Sequence, residues 1–455
     1  MSGRHSARPG RRETIIDCRR LSRGWYHATV AWDEAGVERR SESTFCLLPT
    51  PERTGDAEAS PFGAHFAVDP TNIALAKAVG CRWLRLHPPN HTKWRTVEPA
   101  NGGWAWRDEP IRLAREAGFE LVGSLDRCPR WASTAPADAP DYYYTGFAAW
   151  APRSWDEWEE YVAETVRRHK GDIHLWEVWN EPNLEDWWVP RQGRTPAEGY
   201  VELLRHTTPI VKREDPTATV IGGVVAGALK QRSSAWEFSR EVIERGGLEL
   251  MDVFSFHDYI VSAVEEGDDP IDVWLPRLRE AMRAAGREVP IINSEGGFAN
   301  PGSAITYRPC DSDVVPPERM ARLLVRQHVS QLALGVDRFF FYNFFIDGSP
   351  TVQAWEGFVE GDGQPRPNVA AYATLSRLLD GATFDRTEQA GPEAWVHWFR
   401  IPRGRLVVAW ARTDTRSRVA IPRAEEAWDL MGAPLPVPRQ GVFEITDAPI
   451  YVSTP

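Results

Sequence analysis

The chain from residue 61 to residue 380 alternates short apolar runs with segments of helical periodicity. Eight runs rich in apolar and β-branched residues predict strands at residues 62–66, 83–87, 121–125, 174–179, 219–225, 253–257, 291–294 and 338–343. Helices are predicted between them, and two begin with a capping-box pattern, at Ser154 and Thr195. Strands such as residues 219–225 are apolar without alternation, which is typical of a parallel sheet covered on both faces.

Eight such strand–helix units predict a (β/α)8 TIM barrel with insertions. The alternative is an open, doubly wound sheet. It is disfavoured because no G-x-G-x-x-G pattern occurs at a strand-to-helix turn. We therefore expect an α/β protein whose catalytic barrel spans residues 61–380.

The flanking regions have a different pattern. Residues 1–13 are basic, small and polar, so we expect them to be disordered, and residues 49–61 resemble a linker. Strands are predicted within residues 14–50 and throughout residues 381–455. Because two strands do not form a stable sheet alone, we expect residues 14–50 to complete an all-β sandwich with residues 381–455.

Composition excludes some function classes. The formal net charge of −11 and the scattered basic residues disfavour nucleic acid and anionic membranes as partners. No apolar run approaches the roughly 18 residues of a membrane-spanning helix. The five cysteines are far apart and lack C-x-x-C spacing, which indicates free thiols in a reducing compartment. No apolar segment follows the basic N-terminus, so we expect a cytoplasmic protein, unless an upstream segment is missing from the sequence.

Two glutamates follow predicted strands of the barrel. Glu181 follows the fourth strand after Asn180, and Glu295 comes directly after the seventh strand. TIM barrels carry their working residues at the C-terminal ends of the strands, and glycoside cleavage requires two carboxylates flanking the scissile bond. A single glutamate in such a place is commonly a salt-bridged loop residue, but a facing pair favours sugar cleavage. Glu177, inside the fourth strand, is instead expected to form a buried ion pair.

The fourth-strand motif resembles that of a known group of enzymes. Residues 176–184 (WEVWNEPNL) are similar to the acid/base motif of clan A of the glycoside hydrolases, and most similar to family 39, which holds β-xylosidases and α-L-iduronidases. Residues 61–65 (PFGAH) and 93–99 (KWRTVEP) resemble the first strand and the loop after the second strand of that clan. The resemblance covers residues 61–380 and continues at residues 428–432 and 449–452. It implies a retaining glycosidase. A metal-dependent hydrolase barrel is disfavoured because no His-x-His pair follows the first strand, and we expect neither a metal nor a cofactor.

The resemblance also implies a role for individual residues. Glu181 would be the general acid/base, and Glu295 the nucleophile of a double displacement. Asn180 would bind the sugar 2-hydroxyl, and Arg85 would hold Glu295 as a carboxylate; a purely structural barrel salt bridge is the alternative for Arg85.

Further positions are expected to line the sugar site. His257 would line it and Tyr259 would hydrogen-bond the nucleophile, although both could be packing residues. The clan often places Trp at the end of strand eight, whereas this chain offers Tyr342, Phe344 or the later Trp355. Aromatic platforms for the sugar are sought among the tryptophans in predicted loops, which are Trp131, Trp187, Trp188 and Trp355.

Two alternatives to hydrolysis stay open. The chain could be a catalytically inactive carbohydrate-binding barrel, although a binder has no need of a matched acid and nucleophile. It could also be a transglycosylase that passes the same covalent intermediate to a sugar hydroxyl. A carbohydrate is the expected partner in each case, and the sequence specifies neither the sugar, the linkage nor the oligomeric state.

Overall fold

A computed structural model describes most of the chain. The described residues are 3–8, 11–16, 18–50, 57–87, 91–142, 145–226, 234–261, 270–299, 317–344, 357–360, 362–389, 394–412 and 416–455. Trp355, predicted as a sugar platform, lies outside this part of the chain.

Four N-terminal strands form two separate antiparallel pairs. The strand β1 (Gly3–Arg8) pairs with β2 (Arg11–Ile16), and β3 (Gly24–Glu34) pairs with β4 (Val37–Leu47). The backbone of residues 3–8 and 11–16 is thus paired, where disorder was predicted for residues 1–13. Paired strands satisfy backbone donors and acceptors whatever the side chains, which composition does not reveal.

The β3–β4 hairpin does not extend the C-terminal sheets by hydrogen bonding, contrary to the prediction for residues 14–50. It is attached to the barrel instead: the Trp25 indole N–H and the Thr44 hydroxyl both donate to the carbonyl of Pro365, each at 2.8 Å. The base of the hairpin is partly buried, and its far end is exposed. Val30, Trp32 and Val37 of the hairpin stay exposed, so its far end packs against no second sheet among the described residues.

Eight parallel strands close the predicted barrel. They are β5 (Phe62–Ala64), β6 (Trp83–Arg85), β7 (Glu120–Leu125), β8 (Leu175–Val178), β9 (Thr219–Ala226), β10 (Val253–Val261), β11 (Ile291–Ala299) and β12 (Phe339–Phe341). The pairing of β12 with β5 completes the circle. All eight predicted strands are confirmed.

Helices cover the outside of the barrel. They are α1 (Pro70–Ala78), α2 (Trp94–Val97), α3 (Asp108–Glu116), α4 (Trp155–Arg168), α5 (Pro196–Glu214), α6 (Ser234–Glu244), α7 (Pro270–Ala284), α8 (Pro317–Ala333) and α9 (Pro367–Leu379). Thr195 and Glu198 form a reciprocal capping box at the start of α5, and the Ser154 side chain caps α4. The local signals that predicted these starts therefore act as expected.

The interior of the barrel is filled with side chains and is no pore. A buried cluster contains residues from seven of the strands, which are Trp83, Val122, Leu175, Ile221, Val224, Val253, Ile292 and Phe340. Gly63 on β5 leaves room for it, since a Cβ there would lie 2.5 Å from the Phe340 ring. This packed layer is the rigid floor from which the strand ends project.

The C-terminal region forms the accessory β-sandwich that was predicted. Its strands are β13 (Thr383–Gln389), β14 (Ala394–Ile401), β15 (Gly404–Ala411), β16 (Ser417–Ala420), β17 (Glu426–Trp428), β18 (Val442–Ile445) and β19 (Ile450–Thr454). A five-stranded sheet in the order β13-β14-β15-β19-β17 is accompanied by the pair β16–β18. Asp447 ties the sandwich to the barrel, accepting hydrogen bonds of 2.7 and 2.8 Å from Arg322 of α8.

No helix in the described ranges is long and apolar enough to cross a membrane. None of the cysteines among these residues, Cys18, Cys46, Cys81 and Cys128, forms a disulfide, and Cys310 lies outside them.

Candidate active site

Glu181 is held by an unusual backbone at the end of β8. Trp179 and Glu181 have φ values of 65° and 53°, in the left-handed region that non-glycine residues seldom occupy. The Glu181 N–H donates to the carbonyl of Val224 at 3.0 Å, and the Asn183 side chain accepts from the Ala226 N–H at 2.8 Å. Contacts to the end of β9 thus hold a conformation that would otherwise be costly. The W-N-E-P-N motif consequently presents Glu181 in a defined direction.

An extra residue in β11 brings Glu295 to the site. Phe256 of β10 pairs with Asn293 of β11, but the next residue, His257, pairs with Glu295, so that Ser294 is an additional residue between them. Consecutive residues of a regular strand point to opposite faces, and a bulge changes this alternation. Ser294 and Glu295 can therefore both direct their side chains toward the site.

Arg85, at the end of β6, joins three acidic or amide groups. It donates from Nε to Glu177 Oε2 at 2.5 Å, from Nη1 to Glu295 Oε2 at 2.7 Å and from Nη2 to Asn180 Oδ1 at 2.8 Å. The side chains of Arg85 and Glu177 are fully buried, so the predicted buried ion pair of Glu177 is present. One planar guanidinium therefore fixes the position of Glu295 and of Asn180 at the same time.

The remaining predicted polar residues contact the two glutamates directly. The Tyr259 hydroxyl donates to Glu295 Oε1 at 2.7 Å, and His257 Nδ1 lies 3.0 Å from Glu181 Oε1. A carboxylate oxygen of Glu181, one of Glu295 and a ring nitrogen of His257 all lie within 4.8 Å of one another. The structure therefore brings together Arg85, Asn180, Glu181, His257, Tyr259 and Glu295, the polar residues proposed from the sequence.

These three ligand-type atoms are the one metal-like grouping found among the described residues. Both oxygens of Glu295 already accept hydrogen bonds, from Arg85 and from Tyr259. A cation placed there would also be repelled by the Arg85 guanidinium. The arrangement suits hydrogen bonding around two carboxyl groups better than it suits metal coordination.

Burial keeps the histidines of the site neutral. It lowers the pKa of His257 to about 4, opposed by the negative charge of Glu295. Burial and the nearby Arg85 charge lower the pKa of His65, whose Nε2 lies 2.8 Å from the Ser294 carbonyl. Since a carbonyl only accepts, His65 carries its proton on Nε2. These rings therefore contribute hydrogen bonds and no positive charge near neutral pH.

A second buried polar cluster lies at the ends of β6 and β7. The Lys93 ammonium donates to both oxygens of Asp126, at 2.8 and 2.7 Å, and lies 2.9 Å from His87 Nδ1. Burial lowers the pKa of Lys93 to about 8, although the Asp126 carboxylate opposes this shift. The members of this cluster are separated along the chain, and no role was predicted for them from the sequence.

The aromatic predictions had mixed outcomes. Tyr342, after β12, lies beside the site, with ring centroids 5.1 Å from His65 and 6.3 Å from Tyr259. Trp188 is buried, 1% exposed, and packs edge-on against Trp179, so it is core and offers no platform.

The two other described tryptophans keep part of their surface accessible. Trp131 packs against Trp94 and donates its indole N–H to the Glu98 carbonyl at 3.2 Å. The Arg127 guanidinium covers one face of the Trp187 ring at 4.8 Å. The contacts of Trp131 and Trp187 described above are made with neighbouring loops. The role of these two side chains in sugar binding stays a prediction.

Ser294 also belongs to the site, although no role was predicted for it from the sequence. Its hydroxyl lies 2.6 Å from Glu177 Oε1, 2.7 Å from the Ser255 hydroxyl and 3.2 Å from His257 Nε2. Its position directly before Glu295 was the only feature of the sequence that pointed to a role at the site. That signal is weak, because regular alternation would turn Ser294 away from the site.

The fold of this chain resembles that of several solved structures. No family model and no curated protein matches the chain. Solved structures do match. A family 39 glycoside hydrolase from Bacteroides cellulosilyticus WH2 superposes with a TM-score of 0.74 at 20% identity, covering 95% of this chain and 88% of that one.

A family 39 β-xylosidase from Caulobacter crescentus has a TM-score of 0.60 at 16% identity, covering 90% of this chain and 98% of its own. A family 30 endoxylanase from Clostridium papyrosolvens C71 has a TM-score of 0.56 at 13% identity, with coverages of 87% and 96%. The chain therefore shares its fold with these glycoside hydrolases of families 39 and 30.

Proposed function

We propose that this protein is a retaining glycoside hydrolase that cleaves O-glycosidic bonds through a covalent glycosyl-enzyme intermediate. The observation that carries the proposal is the pair of carboxyl groups of Glu181 and Glu295, with oxygens within 4.8 Å of each other at one end of a barrel. Retaining glycosidases hold their two carboxyl groups about 5–5.5 Å apart, whereas inverting enzymes need about 6.5–9.5 Å to admit a water molecule.

The surroundings suit Glu295 as the nucleophile. Its two oxygens accept hydrogen bonds from Arg85 and Tyr259, which fix the direction of the carboxylate. In the first step a Glu295 oxygen would attack the anomeric carbon while the bond from that carbon to the leaving oxygen breaks. The proton of the Glu181 carboxyl group would pass to the leaving oxygen.

In the second step Glu181, now a carboxylate, would take a proton from water. The water oxygen would bond to the anomeric carbon, and the ester bond to Glu295 would break. Two inversions at one carbon retain its configuration. Asn180, whose Oδ1 is bound by Arg85, keeps its amide N–H groups for a sugar hydroxyl.

The names of two structural neighbours indicate which substrates should be tested first. Two of them are named as a β-xylosidase and an endoxylanase. We propose a pentose or hexose glycoside as the substrate class and p-nitrophenyl β-D-xyloside as the first compound of a panel of aryl glycosides. A sugar acceptor replacing water in the second step would reveal transglycosylation.

The test uses azide to identify the nucleophile. We expect Glu295→Ala to lose turnover of the best aryl glycoside, and azide to restore it with a glycosyl azide of inverted configuration, identified by NMR. For Glu181→Ala, azide should give a glycosyl azide of retained configuration, because the covalent intermediate still forms.

The matched control is Glu116→Ala, which removes a surface carboxylate that pairs with Arg112 and should leave turnover unchanged. Retained configuration in the azide product of Glu295→Ala would refute the nucleophile assignment. If the wild-type protein turns over no glycoside in the panel but binds sugars, it is a carbohydrate-binding barrel.

A further inference from the structure

The hydrogens around Ser294 can be assigned from its three short contacts. Glu177 forms a buried ion pair with Arg85, and the Oε1 of a carboxylate only accepts hydrogen bonds. An oxygen–oxygen distance of 2.6 Å between Ser294 and Glu177 requires a hydrogen between them, and only the Ser294 hydroxyl can supply it. The single hydrogen of Ser294 is thereby committed to Glu177.

The other two contacts of Ser294 must then be donated to it. The Ser255 hydroxyl donates to Ser294 Oγ at 2.7 Å. His257 Nε2 lies 3.2 Å from the same oxygen and must donate as well, since Ser294 has no second hydrogen. A neutral imidazole carries one proton, so Nδ1 of His257 keeps a lone pair. The contact of 3.0 Å between this Nδ1 and Glu181 Oε1 therefore requires the proton to be on Glu181.

We propose that Ser294 is a positioning residue that fixes His257 as its Nε2–H tautomer and thereby keeps Glu181 in the protonated form that the first step requires. This inference rests on the function proposed above, in which Glu181 is the acid. It also explains the second step. Once Glu181 has given up its proton, its oxygen faces the lone pair of Nδ1, which makes the carboxylate a stronger base toward water.

The charged and titratable groups that face His257 and Glu181 come from several strands. Arg85 of β6, Glu177 of β8, Glu295 of β11 and neutral His65 after β5 surround the ring of His257. None of these groups bonds to His257 Nε2, whose one hydrogen-bond partner in the described residues is Ser294. Ser294 therefore determines which nitrogen of the neutral His257 ring carries the proton. The surrounding charges instead determine whether the ring takes up a second proton.

The tautomer can be measured without any substrate. In protein labelled with ¹⁵N-histidine, long-range ¹H–¹⁵N NMR distinguishes Nε2–H from Nδ1–H rings, and His257→Gln identifies the signal. We expect Nε2–H in the wild type at neutral pH. We expect Ser294→Ala to shift the ring toward Nδ1–H, donating to an ionised Glu181. The matched control Ser255→Ala removes a neighbouring buried hydroxyl but leaves the Ser294–Glu177 contact, so it should keep Nε2–H.

Kinetics then tests the consequence for catalysis. Because an Nδ1–H donor would favour ionised Glu181, Ser294→Ala should move the alkaline limb of the kcat/KM profile to lower pH. At neutral pH it should reduce kcat/KM about tenfold or more for alkyl glycosides, while activated aryl glycosides are affected far less. Ser294→Thr, which restores a hydroxyl, should recover the wild-type profile.

An Nδ1–H ring in the wild-type protein would overturn the proposal, and this result needs no variant to fold. An Nε2–H ring and an unchanged pH profile in Ser294→Ala would also overturn it. Failure of the proposed function is distinguishable, because it would abolish turnover in the wild type while leaving the tautomer of His257 as assigned.

Discussion

Arg85 has two roles: it pairs with the buried Glu177, and it donates hydrogen bonds to Glu295 and Asn180. Replacement of Arg85 by methionine, alone and together with a change at Glu177, separates these roles. Methionine is of comparable length and apolar, so it removes the charge and leaves the fully buried Glu177 without its cation. Removing one partner of a buried pair costs about 3–5 kcal/mol, because the other charge stays buried and uncompensated. We therefore expect Arg85→Met to lower the free energy of unfolding by about that amount.

The double variant Arg85→Met/Glu177→Gln isolates the catalytic part. Neutralising residue 177 removes the uncompensated charge, so most of the lost stability should return. Glu295 and Asn180 still lack their donors, at 2.7 and 2.8 Å in the wild type. Hydrogen bonds to charged groups are worth about 1.5–3 kcal/mol each. If both act in the transition state, their loss lowers kcat/KM by about 10²- to 10⁴-fold.

Two measurements on the same samples test this reasoning. Urea denaturation gives the free energy of unfolding, and initial rates with the best aryl glycoside give kcat/KM. Recovery of both quantities in the double variant would refute a catalytic role for Arg85 and leave it a structural barrel salt bridge. Recovery of neither would show that Glu177 is not the source of the instability.

Two further predictions concern Tyr259 and Asp258 of β10, of which Tyr259 contacts Glu295 and Asp258 accepts a hydrogen bond from Gln331 of α8. Tyr259→Phe removes the 2.7 Å hydrogen bond to Glu295, and a hydrogen bond to a charged group is worth about 1.5–3 kcal/mol. We therefore expect kcat to fall about 10- to 100-fold, with a smaller change in KM. An unchanged kcat would contradict this prediction. Burial raises the pKa of Asp258 to about 6. Between about pH 4 and pH 6 the folded state therefore binds more protons than the unfolded chain, so the free energy of unfolding decreases as the pH rises. Asp258→Asn should abolish this fall in urea denaturation, and an unaltered pH dependence would contradict the assignment.

The barrel and its two glutamates were predictable because their signals are local. Eight apolar runs define the strand order, and a parallel barrel brings all C-terminal strand ends to one face. Counting strands therefore places Glu181 and Glu295 on that face without any knowledge of packing. The capping box at Thr195 is equally local, and it forms as expected.

The features that were missed depend on pairing between distant segments. The bulge at Ser294 arises from the register between β10 and β11, which no residue pattern within β11 specifies. The attachment of the β3–β4 hairpin to Pro365 depends on a contact across 340 residues of chain. The hairpin was expected to join the sandwich because two strands do not form a stable sheet alone, but strand content does not identify the partner of a strand.

The buried charges of the site also explain why Glu177 accompanies Arg85. With Glu181 protonated and His257 neutral, the charged groups are Arg85, Glu177 and Glu295, which together carry one net negative charge. The transition state of glycoside cleavage is oxocarbenium-like and positive. Without Glu177, the guanidinium would cancel the charge of Glu295, and the developing positive charge would face a neutral site. The double variant Arg85→Met/Glu177→Gln preserves the net charge, so any loss of its activity must come from the missing hydrogen bonds.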